Sequence, residues 1–122
     1  MTFEVIAYED VNGKIPVQKF LKKLNPKMRA KMYGMLVILQ EKGNMLREPY
    51  SKYIEDGIFE LRCKFGSDIT RVMYFFFYYD RKIVLTNGFI KKTQKTPQEE
   101  IQIAKKRRID FIERMAENEN LK

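Results

Sequence analysis

The segment from Ile69 to Tyr79 constrains the fold more than any other part of this sequence, because apolar side chains occupy both alternating sets of positions along it. A half-exposed strand alternates apolar and polar residues, whereas a strand buried on both faces is nearly continuously apolar. Turn residues bound the segment at 66–68 and at 80–82. It therefore predicts a central β-strand, covered by other elements on both sides and joined to its neighbours by hairpin turns.

The strands on either side of this segment are predicted from alternation and turn signals. Residues 59–65 place apolar and charged side chains on opposite faces with a period of two. The apolar set is Phe59, Leu61, Cys63 and Phe65, and the charged set is Glu60, Arg62 and Lys64. Residues 83–90 form the last strand of a three-stranded antiparallel meander. Residues 3–8 are expected to add an N-terminal strand to the same antiparallel sheet.

A helical hairpin is predicted before the meander. Apolar residues recur every three or four positions over residues 17–24 and again over residues 28–39. Asn25-Pro26 separates the two stripes, since the residue before a proline avoids the helical region and proline suits the first turn of a helix. Two helices with so short a connection are expected to pack antiparallel. The polar residues 44–56 are interpreted as a loop.

A third helix is predicted after the last strand. Thr96 is a suitable N-cap, and Pro97 is suited to the first helical position. The resulting order of elements, β-α-α-β-β-β-α, predicts a single small α+β domain over residues 1–122, with its helices packed on one face of the sheet.

Composition excludes several classes of function. The 122 residues include 24 basic and 16 acidic side chains, and the net charge of +8 favours a polyanionic partner such as nucleic acid. The chain has no histidine, the usual general base at neutral pH, and its one cysteine, Cys63, cannot form an internal disulfide. Zinc chemistry, a Ser-His-Asp triad and a disulfide scaffold are therefore excluded. With no leader pattern and no apolar run near the ~20 residues of a membrane helix, we expect a cytoplasmic protein.

More than half of the net charge of +8 lies in residues 91–108, since seven basic minus two acidic residues give +5. Seven basic residues lie in positions 91–108, against two acidic ones. The seven are Lys91, Lys92, Lys95, Lys105, Lys106, Arg107 and Arg108. One interpretation is a solvated helix face. We favour a continuous basic surface on the open side of the sheet, because Lys91 follows directly from a strand end and neighbouring strands add Arg62, Lys64 and Arg71.

Arg62 and Arg71 interrupt strands that otherwise consist of core residues. The planar guanidinium binds phosphate through two N–H groups, and several such donors suit the charge of a pentacoordinate phosphorus transition state. The alternative is a cross-strand ion pair, for example between Glu60 and Arg71. The spacing leaves both interpretations open.

Aromatic residues could supply stacking surfaces for bases. Most of them are expected in the core, as is Cys63. The better candidates lie in or beside predicted loops, and they are Tyr50, Tyr53 and Phe89.

Three segments carry the motifs of a known toxin superfamily. Residues 56–62 read DGIFELR, residues 70–75 read TRVMYF, and residues 87–97 read NGFIKKTQKTP. Together they resemble the HigB-like, phage-derived branch of the RelE/ParE superfamily, over about residues 52–111. The KKTQKTP string after an aromatic residue is the most specific part. Thr70 departs from the pattern, which has an aromatic residue before the arginine, and this puts a stacking role at that position in doubt.

The resemblance implies a small RelE-like fold and a toxin of a bacterial type II toxin–antitoxin system. Toxins of this branch enter the ribosomal A site and cleave mRNA during translation, whereas toxins of the ParE branch poison DNA gyrase. The implied partners are the 70S ribosome, mRNA and a neutralising helix-turn-helix antitoxin of the HigA type. No membrane partner is expected.

Cleavage of this type begins with attack of the 2′-hydroxyl on the adjacent phosphorus, and it requires a base, an acid and charge stabilisation. We assign Arg62 and Arg71 to the phosphate. Lys91 or Lys92 is the expected proton-transfer group, because neighbouring positive charges disfavour protonation of a lysine. Glu60 is expected to orient an arginine, and is a less favoured candidate for the base. No metal or other cofactor is expected.

Eight further residues are expected to bind RNA or the ribosome: Lys64, Phe89, Lys95, Lys105, Lys106, Arg107, Arg108 and Tyr53. Two other functions stay open at this point. One is a ParE-like gyrase inhibitor without catalysis, and the other is a basic nucleic-acid-binding module that is not toxic. The density of lysines at the strand end favours the endoribonuclease, since a protein-binding surface has less need of them.

Overall fold

The computed structural model describes residues 2–91 and 95–120, which form a five-stranded sheet and three α-helices. The strands are β1 (Glu4–Ala7), β2 (Ser51–Glu55), β3 (Ile58–Phe65), β4 (Asp68–Phe77) and β5 (Lys82–Lys91). The helices are α1 (Pro16–Lys22), α2 (Pro26–Lys42) and α3 (Gln98–Asn120). Over these residues, no helix is both long and apolar enough to cross a lipid bilayer.

The strand order across the sheet is β1-β5-β4-β3-β2, so β4 lies at the centre. β3, β4 and β5 are joined consecutively and run antiparallel, which confirms the predicted meander. β1 pairs in parallel with β5, with Val5 opposite Ile83, so the sheet is mixed rather than wholly antiparallel. No local turn sets the direction of β1, because two helices and three strands separate it from β5 along the chain.

β2 is an edge strand in the region that we interpreted as a loop. Ser51–Glu55 pairs antiparallel with β3, and Tyr53 lies opposite Phe59. The two strands are joined by Asp56 and Gly57, which both have positive φ angles, 49° and 79°. Asp-Gly is a strong hairpin signal, since this turn needs two residues that tolerate positive φ. The strand itself gives a weak signal because it is short, polar and exposed on its outer side.

Helices cover both faces of the sheet. α1 and α2 pack on one face, which we call the hairpin face, against Leu61, Val72 and Tyr74. α3 packs on the opposite face, the α3 face, against Ile58, Met73 and Phe75. Successive residues of β4 thus enter different cores, which confirms the prediction of a strand covered on both sides. The prediction that all helices lie on one face is wrong, because the order of elements does not encode the side on which α3 returns.

The helical hairpin begins and ends at the expected residues. Pro16 and Pro26 occupy the first turns of α1 and α2, where the missing N–H has no helical partner to lose. The side chain of Asn25 caps α2 by accepting the N–H of Lys27 at 2.8 Å. α2 ends at Gly43, whose φ of 53° favours glycine. The two predicted helices and the break between them at Asn25-Pro26 are confirmed.

Candidate active site

Three cross-strand rows of side chains on the α3 face contain most of the predicted catalytic residues. Directly opposite residues of antiparallel strands point to the same face, so the strand register defines each row. The first row is Glu60, Met73 and Asn87. The second row is Arg62, Arg71 and Phe89. The third row is Lys64, Ile69 and Lys91. Adjacent rows are about 7 Å apart, the length of two residues of a strand.

The exposure of these side chains increases from the first row to the third. Glu60 is completely buried, and so is Arg71 in the second row. The side chain of Arg62 is 15% exposed, while Lys64 and Lys91 in the third row are exposed. A ligand approaching from solvent would therefore meet the two lysines and Arg62 first, with Arg71 and Glu60 beneath them.

The Glu60 carboxylate connects the two arginines. Its Oε1 accepts a hydrogen bond from Nε of Arg62 at 2.6 Å. Its Oε2 lies 3.8 Å from Nη1 of Arg71 and also accepts the hydroxyl hydrogen of Thr96. A buried carboxylate is costly unless its charge is compensated, and here two guanidinium groups compensate it. The ion pair between Glu60 and Arg71, one of the two interpretations of the spacing, is thus present. Arg62 pairs with the same carboxylate, so the cluster keeps an excess of positive charge.

Arg71 is held between this carboxylate and an aromatic ring. Its guanidinium carbon lies 5.9 Å from the centroid of the Phe89 ring, within the range of a cation–π contact. Burial lowers the pKa of Arg71 from its ordinary value, the charge of Glu60 opposes that effect, and the charge of Arg62 adds to it. An arginine nevertheless keeps its proton at neutral pH. Arg71 therefore contributes a fixed positive charge beneath the surface of the site.

Hydrogen bonds from the strands hold the start of α3 against the site. Nδ2 of Asn87 donates to the backbone oxygen of Glu100 at 3.2 Å and to its Oε1 at 2.9 Å. Thr96, predicted as an N-cap, uses its hydroxyl for Glu60 instead, and α3 begins at Gln98. The chain is thereby anchored on both sides of the predicted lysine segment, of which Lys91 and Lys95 are exposed. Lys92 lies outside the described residues.

The basic residues of α3 differ in whether their side chains contact other parts of the molecule. Lys105 forms ion pairs with Glu55 and with Asp56, the second at 2.9 Å. Nη1 of Arg107 donates to the backbone oxygen of Thr86 at 2.8 Å. The guanidinium of Arg108 lies 5.8 Å from the Phe75 ring centroid, whereas Lys106 is exposed. Three of the four predicted ribosome-binding residues on this helix therefore have intramolecular contacts.

Tyr53 lies apart from the arginines. Its register partner is Phe59, a residue of the hairpin face, and the two rings meet edge to face at 5.1 Å. The Tyr53 hydroxyl also accepts the backbone N–H of Gly57 at 3.2 Å. The structure thus brings Phe89 to the arginine row but places Tyr53 on the other side of the sheet.

The part of the chain that the structure describes contains no cluster of metal-binding side chains. No three cysteine, aspartate or glutamate side chains meet there in an arrangement that could hold a metal ion. The candidate site instead offers guanidinium and ammonium groups, which bind oxyanions such as phosphate.

The chain matches one protein-family model, described as "Phage derived protein Gp49-like (DUF891)", over residues 19–108. The protein belongs to this family. The matched region contains Glu60, both arginines and the strand end at Lys91, so the candidate active site of this Gp49-like protein lies within it. No curated protein matches the chain.

Solved structures show that the fold of this Gp49-like protein is that of RelE. An Escherichia coli RelE toxin mutant in the free state is 15% identical, with a TM-score of 0.60, over 88% of this chain and 98% of that chain. RelE from Pyrococcus horikoshii, in a RelE–RelB complex, is 19% identical, with a TM-score of 0.53, over 78% of this chain and all of the other. The predicted RelE-like fold is confirmed, and the family that the chain belongs to is a phage-derived one. The RelE/ParE superfamily and its HigB branch stay predictions.

Two residues of the site were missed as functional residues by sequence reasoning. Thr96 was interpreted only as a helix cap, although the same hydroxyl could serve a carboxylate. Asn87 was interpreted only as part of a strand. A polar residue inside an apolar strand was the available signal for Asn87, since a buried amide must find hydrogen-bond partners. The partner of Thr96 had no local signal, because Glu60 precedes it by 36 residues.

Proposed function

We propose that this protein is the toxin of a type II toxin–antitoxin system, of the HigB-like branch, and that it cleaves mRNA on the ribosome. The observation that carries the proposal is the Glu60–Arg62–Arg71 cluster, in which two guanidinium groups surround one buried carboxylate next to exposed lysines. The RelE-like fold and the membership in a phage-derived family support it. The protein is expected to act in the cytoplasm, where ribosomes and mRNA are.

The proposed reaction is an intramolecular transesterification followed by release of two RNA ends. The 2′-hydroxyl oxygen attacks the adjacent phosphorus and loses its proton to a base, and the bond from phosphorus to the 5′ oxygen breaks. The 5′ oxygen takes a proton from an acid, leaving a 2′,3′-cyclic phosphate and a 5′-hydroxyl. No electron donor or acceptor is needed, and general acid–base catalysis supplies both proton transfers.

The residues divide between contact with the RNA and support of that contact. Arg62, as the exposed member of the arginine pair, binds the non-bridging oxygens of the reacting phosphate, where charge develops. Arg71 adds positive charge from beneath, and Glu60 holds the Arg62 fork at a fixed angle. Lys91 and Lys92 are the proposed proton-transfer groups, one as base and the other as acid.

Binding to the ribosome is assigned to the exposed basic residues around the site. Lys64 belongs to the third row of the site, Lys95 precedes Thr96 in the sequence, and Lys106 lies on α3; all three are exposed. These lysines can neutralise phosphates of mRNA or ribosomal RNA, which makes the affinity dependent on salt. The ribosome is proposed to supply part of the orientation of the substrate, since correct orientation of the reacting groups lowers the barrier.

An antitoxin partner follows from the proposed toxin function. The Pyrococcus horikoshii relative is a RelE–RelB complex. For this chain we propose a cognate antitoxin of the HigA type, with a helix-turn-helix DNA-binding domain, that neutralises the toxin. Co-expression of the neighbouring small gene should restore growth if that gene encodes the antitoxin.

The test is to map the 5′ ends of a short mRNA that has been incubated with programmed 70S ribosomes. Wild-type protein should cut in the A-site codon only when ribosomes are present. Arg71→Ala should reduce the cleavage rate about 100-fold or more, as loss of a group that stabilises transition-state charge does. Arg62→Ala, at a partly exposed position, serves as the second variant should Arg71→Ala fail to fold.

The matched control is Arg81→Ala, because Arg81 is exposed and precedes β5, at the opposite end of that strand from Lys91. It should cleave as the wild type does. Intact mRNA together with growth arrest and altered DNA supercoiling would contradict the endoribonuclease and favour the gyrase inhibitor. Absence of both cleavage and growth arrest would leave the basic nucleic-acid-binding module.

A further inference from the structure

A pocket of about 300 Å³ lies beside the candidate active site at an uncovered strand edge. β2 begins at Ser51, opposite Leu61, whereas β3 continues to Phe65. Within the described residues, positions 63–65 of β3 thus have no strand on their outer side. The pocket fills the space between this edge and α2. We call it the edge pocket, and its lining includes Lys31, Met35, Tyr50, Arg62, Lys64 and Ile69.

The lining of the edge pocket combines positive charge with apolar and aromatic surface. Lys31, Arg62 and Lys64 contribute three cationic side chains, and the pocket lining includes no carboxylate. Met35 and Ile69 supply apolar surface. Tyr50 is 53% exposed, so much of its ring is open to a ligand. A ligand that suits this lining has a flat apolar body and a negative charge, which is the chemistry of a nucleotide.

Two hydrogen bonds hold these groups in place. Nζ of Lys31 donates to the backbone oxygen of Lys64 at 2.6 Å, which fixes its ammonium group at the strand edge. An ammonium group has three N–H donors, so this bond leaves donors for a phosphate oxygen. The backbone oxygen of Tyr50 accepts the N–H of Arg62 at 2.8 Å. Tyr50 is therefore attached to Arg62, one of the residues that the pocket shares with the candidate active site.

We propose that the edge pocket binds the nucleotide next to the cleaved phosphate in single-stranded RNA. Tyr50 stacks on the base, and Lys31 and Lys64 contact the phosphate of that nucleotide. Arg62 and Lys64 are two residues apart on β3, about 7 Å, which is the length of one nucleotide in an extended strand. Successive phosphates can therefore lie on Arg62 and on Lys64. The proposal rests on the proposed function and adds to it a site that holds the base beside the cut.

The test measures binding of a short RNA whose reacting ribose is 2′-deoxy, so that it cannot be cleaved. Fluorescence anisotropy follows binding to the whole protein without ribosomes. Tyr50→Ala should weaken binding about ten-fold or more, since stacking on an aromatic side chain is sequence-tolerant but strong. Tyr50→Phe should bind as the wild type does, because the ring and not the hydroxyl carries the contact. Tyr79→Ala is the matched control, since Tyr79 is 75% exposed but follows β4, at the opposite end of that strand from Ile69.

The lysines are tested through salt dependence. Lys31→Met should lower the slope of log affinity against log salt by about 0.7, the value for one phosphate contact on a single strand. Tyr50→Ala should leave that slope unchanged. On programmed ribosomes, Tyr50→Ala should also lower the rate of cleavage, and Tyr79→Ala should not.

The two proposals can fail separately. Cleavage on ribosomes at the wild-type rate, together with wild-type RNA affinity, in Tyr50→Ala and Lys31→Met would overturn the edge pocket and leave the proposed function standing. Binding of the RNA that depends on Tyr50, in a protein that never cleaves mRNA, would overturn the proposed function and keep the pocket as an RNA site. Loss of antitoxin binding with unchanged RNA binding in these variants would assign the pocket to a protein partner and overturn it.

Discussion

Glu60 shows how a single buried side chain can organise charges that would otherwise repel. Arg62 and Arg71 are direct neighbours across two strands, and like charges in that position destabilise a sheet. The carboxylate lies within reach of both guanidinium groups and lowers this repulsion. The carboxylate also accepts the hydroxyl hydrogen of Thr96. The arrangement of the two arginines thus depends on Thr96, which lies in a different part of the chain.

Thr96 is predicted to act as a positioning residue for the arginine pair. Thr96→Val removes the hydroxyl that donates to Glu60 while keeping the shape of the side chain. The single-turnover rate of mRNA cleavage at saturating ribosome should fall about ten-fold, and the affinity for the ribosome should not change. The reason is that the Glu60 carboxylate, without the hydrogen bond from Thr96, no longer holds Arg62 at one angle. Thr96→Ser, which keeps the hydroxyl, should restore the rate. Equal rates for Thr96→Val and wild type would contradict this role.

At the scale of elements, α3 is attached to both edges of the sheet by polar contacts. The hydroxyl of Tyr8, after β1, donates to Oδ2 of Asp110 at 2.6 Å. This bond, together with the charge of Arg114, lowers the pKa of Asp110. At the other edge Lys105 pairs with Glu55 and with the turn that joins β2 to β3. The second contact therefore uses Lys105, one of the charges of the basic run in residues 91–108, within the molecule.

Neighbouring lysines of α3 are therefore predicted to have different roles. Lys106→Met should weaken ribosome binding and lower its salt slope by about 0.7–0.9, because it removes one exposed phosphate contact. Lys105→Met should leave that slope unchanged and lower the melting temperature, because it leaves Glu55 and Asp56 without their partner. Binding titrations at several salt concentrations, with thermal unfolding of both variants, distinguish the two. A loss of salt slope in Lys105→Met would return that residue to the ribosome-binding surface.

The whole molecule is held by two cores, and the core on the hairpin face contains a titratable group. Tyr74 is 1% exposed, and its hydroxyl forms a hydrogen bond with Ser51 of β2. Burial raises the pKa of Tyr74 to about 12, although the bond with Ser51 acts in the opposite direction. A tyrosine with a raised pKa in the folded state stabilises the fold fully below its unfolded pKa of about 10. That contribution is lost as the pH rises toward about 12.

Part of the loss of stability at alkaline pH is predicted to come from Tyr74. Between about pH 10 and pH 12 the free energy of unfolding of the wild type should fall by about 2–3 kcal/mol more than that of Tyr74→Phe, which has no group to ionise there. Urea unfolding at several pH values measures the difference. Tyr79→Phe, at an exposed position, should follow the wild type. Parallel pH profiles for wild type and Tyr74→Phe would contradict the prediction.

Local patterns in the sequence determined most elements of this protein and the identity of its charged groups. The meander from β3 to β5 follows from alternation and tight turns, and the helical hairpin follows from apolar spacing and Asn25-Pro26. Glu60 and Arg62 lie on β3 and Arg71 lies on β4. These predicted site residues meet because one short turn joins the two strands. Register over so short a connection is set by the turn itself.

Only the tertiary structure decided the features that connect distant parts of the chain. They include the parallel pairing of β1 with β5, the face that α3 covers and the contact of Thr96 with Glu60. Whether Lys105 faces solvent or pairs with Glu55 also depended on where β2 lies. The physical reason is that burial and ion pairing depend on which surfaces meet, and no period of the sequence records the distance between two residues that are far apart along the chain.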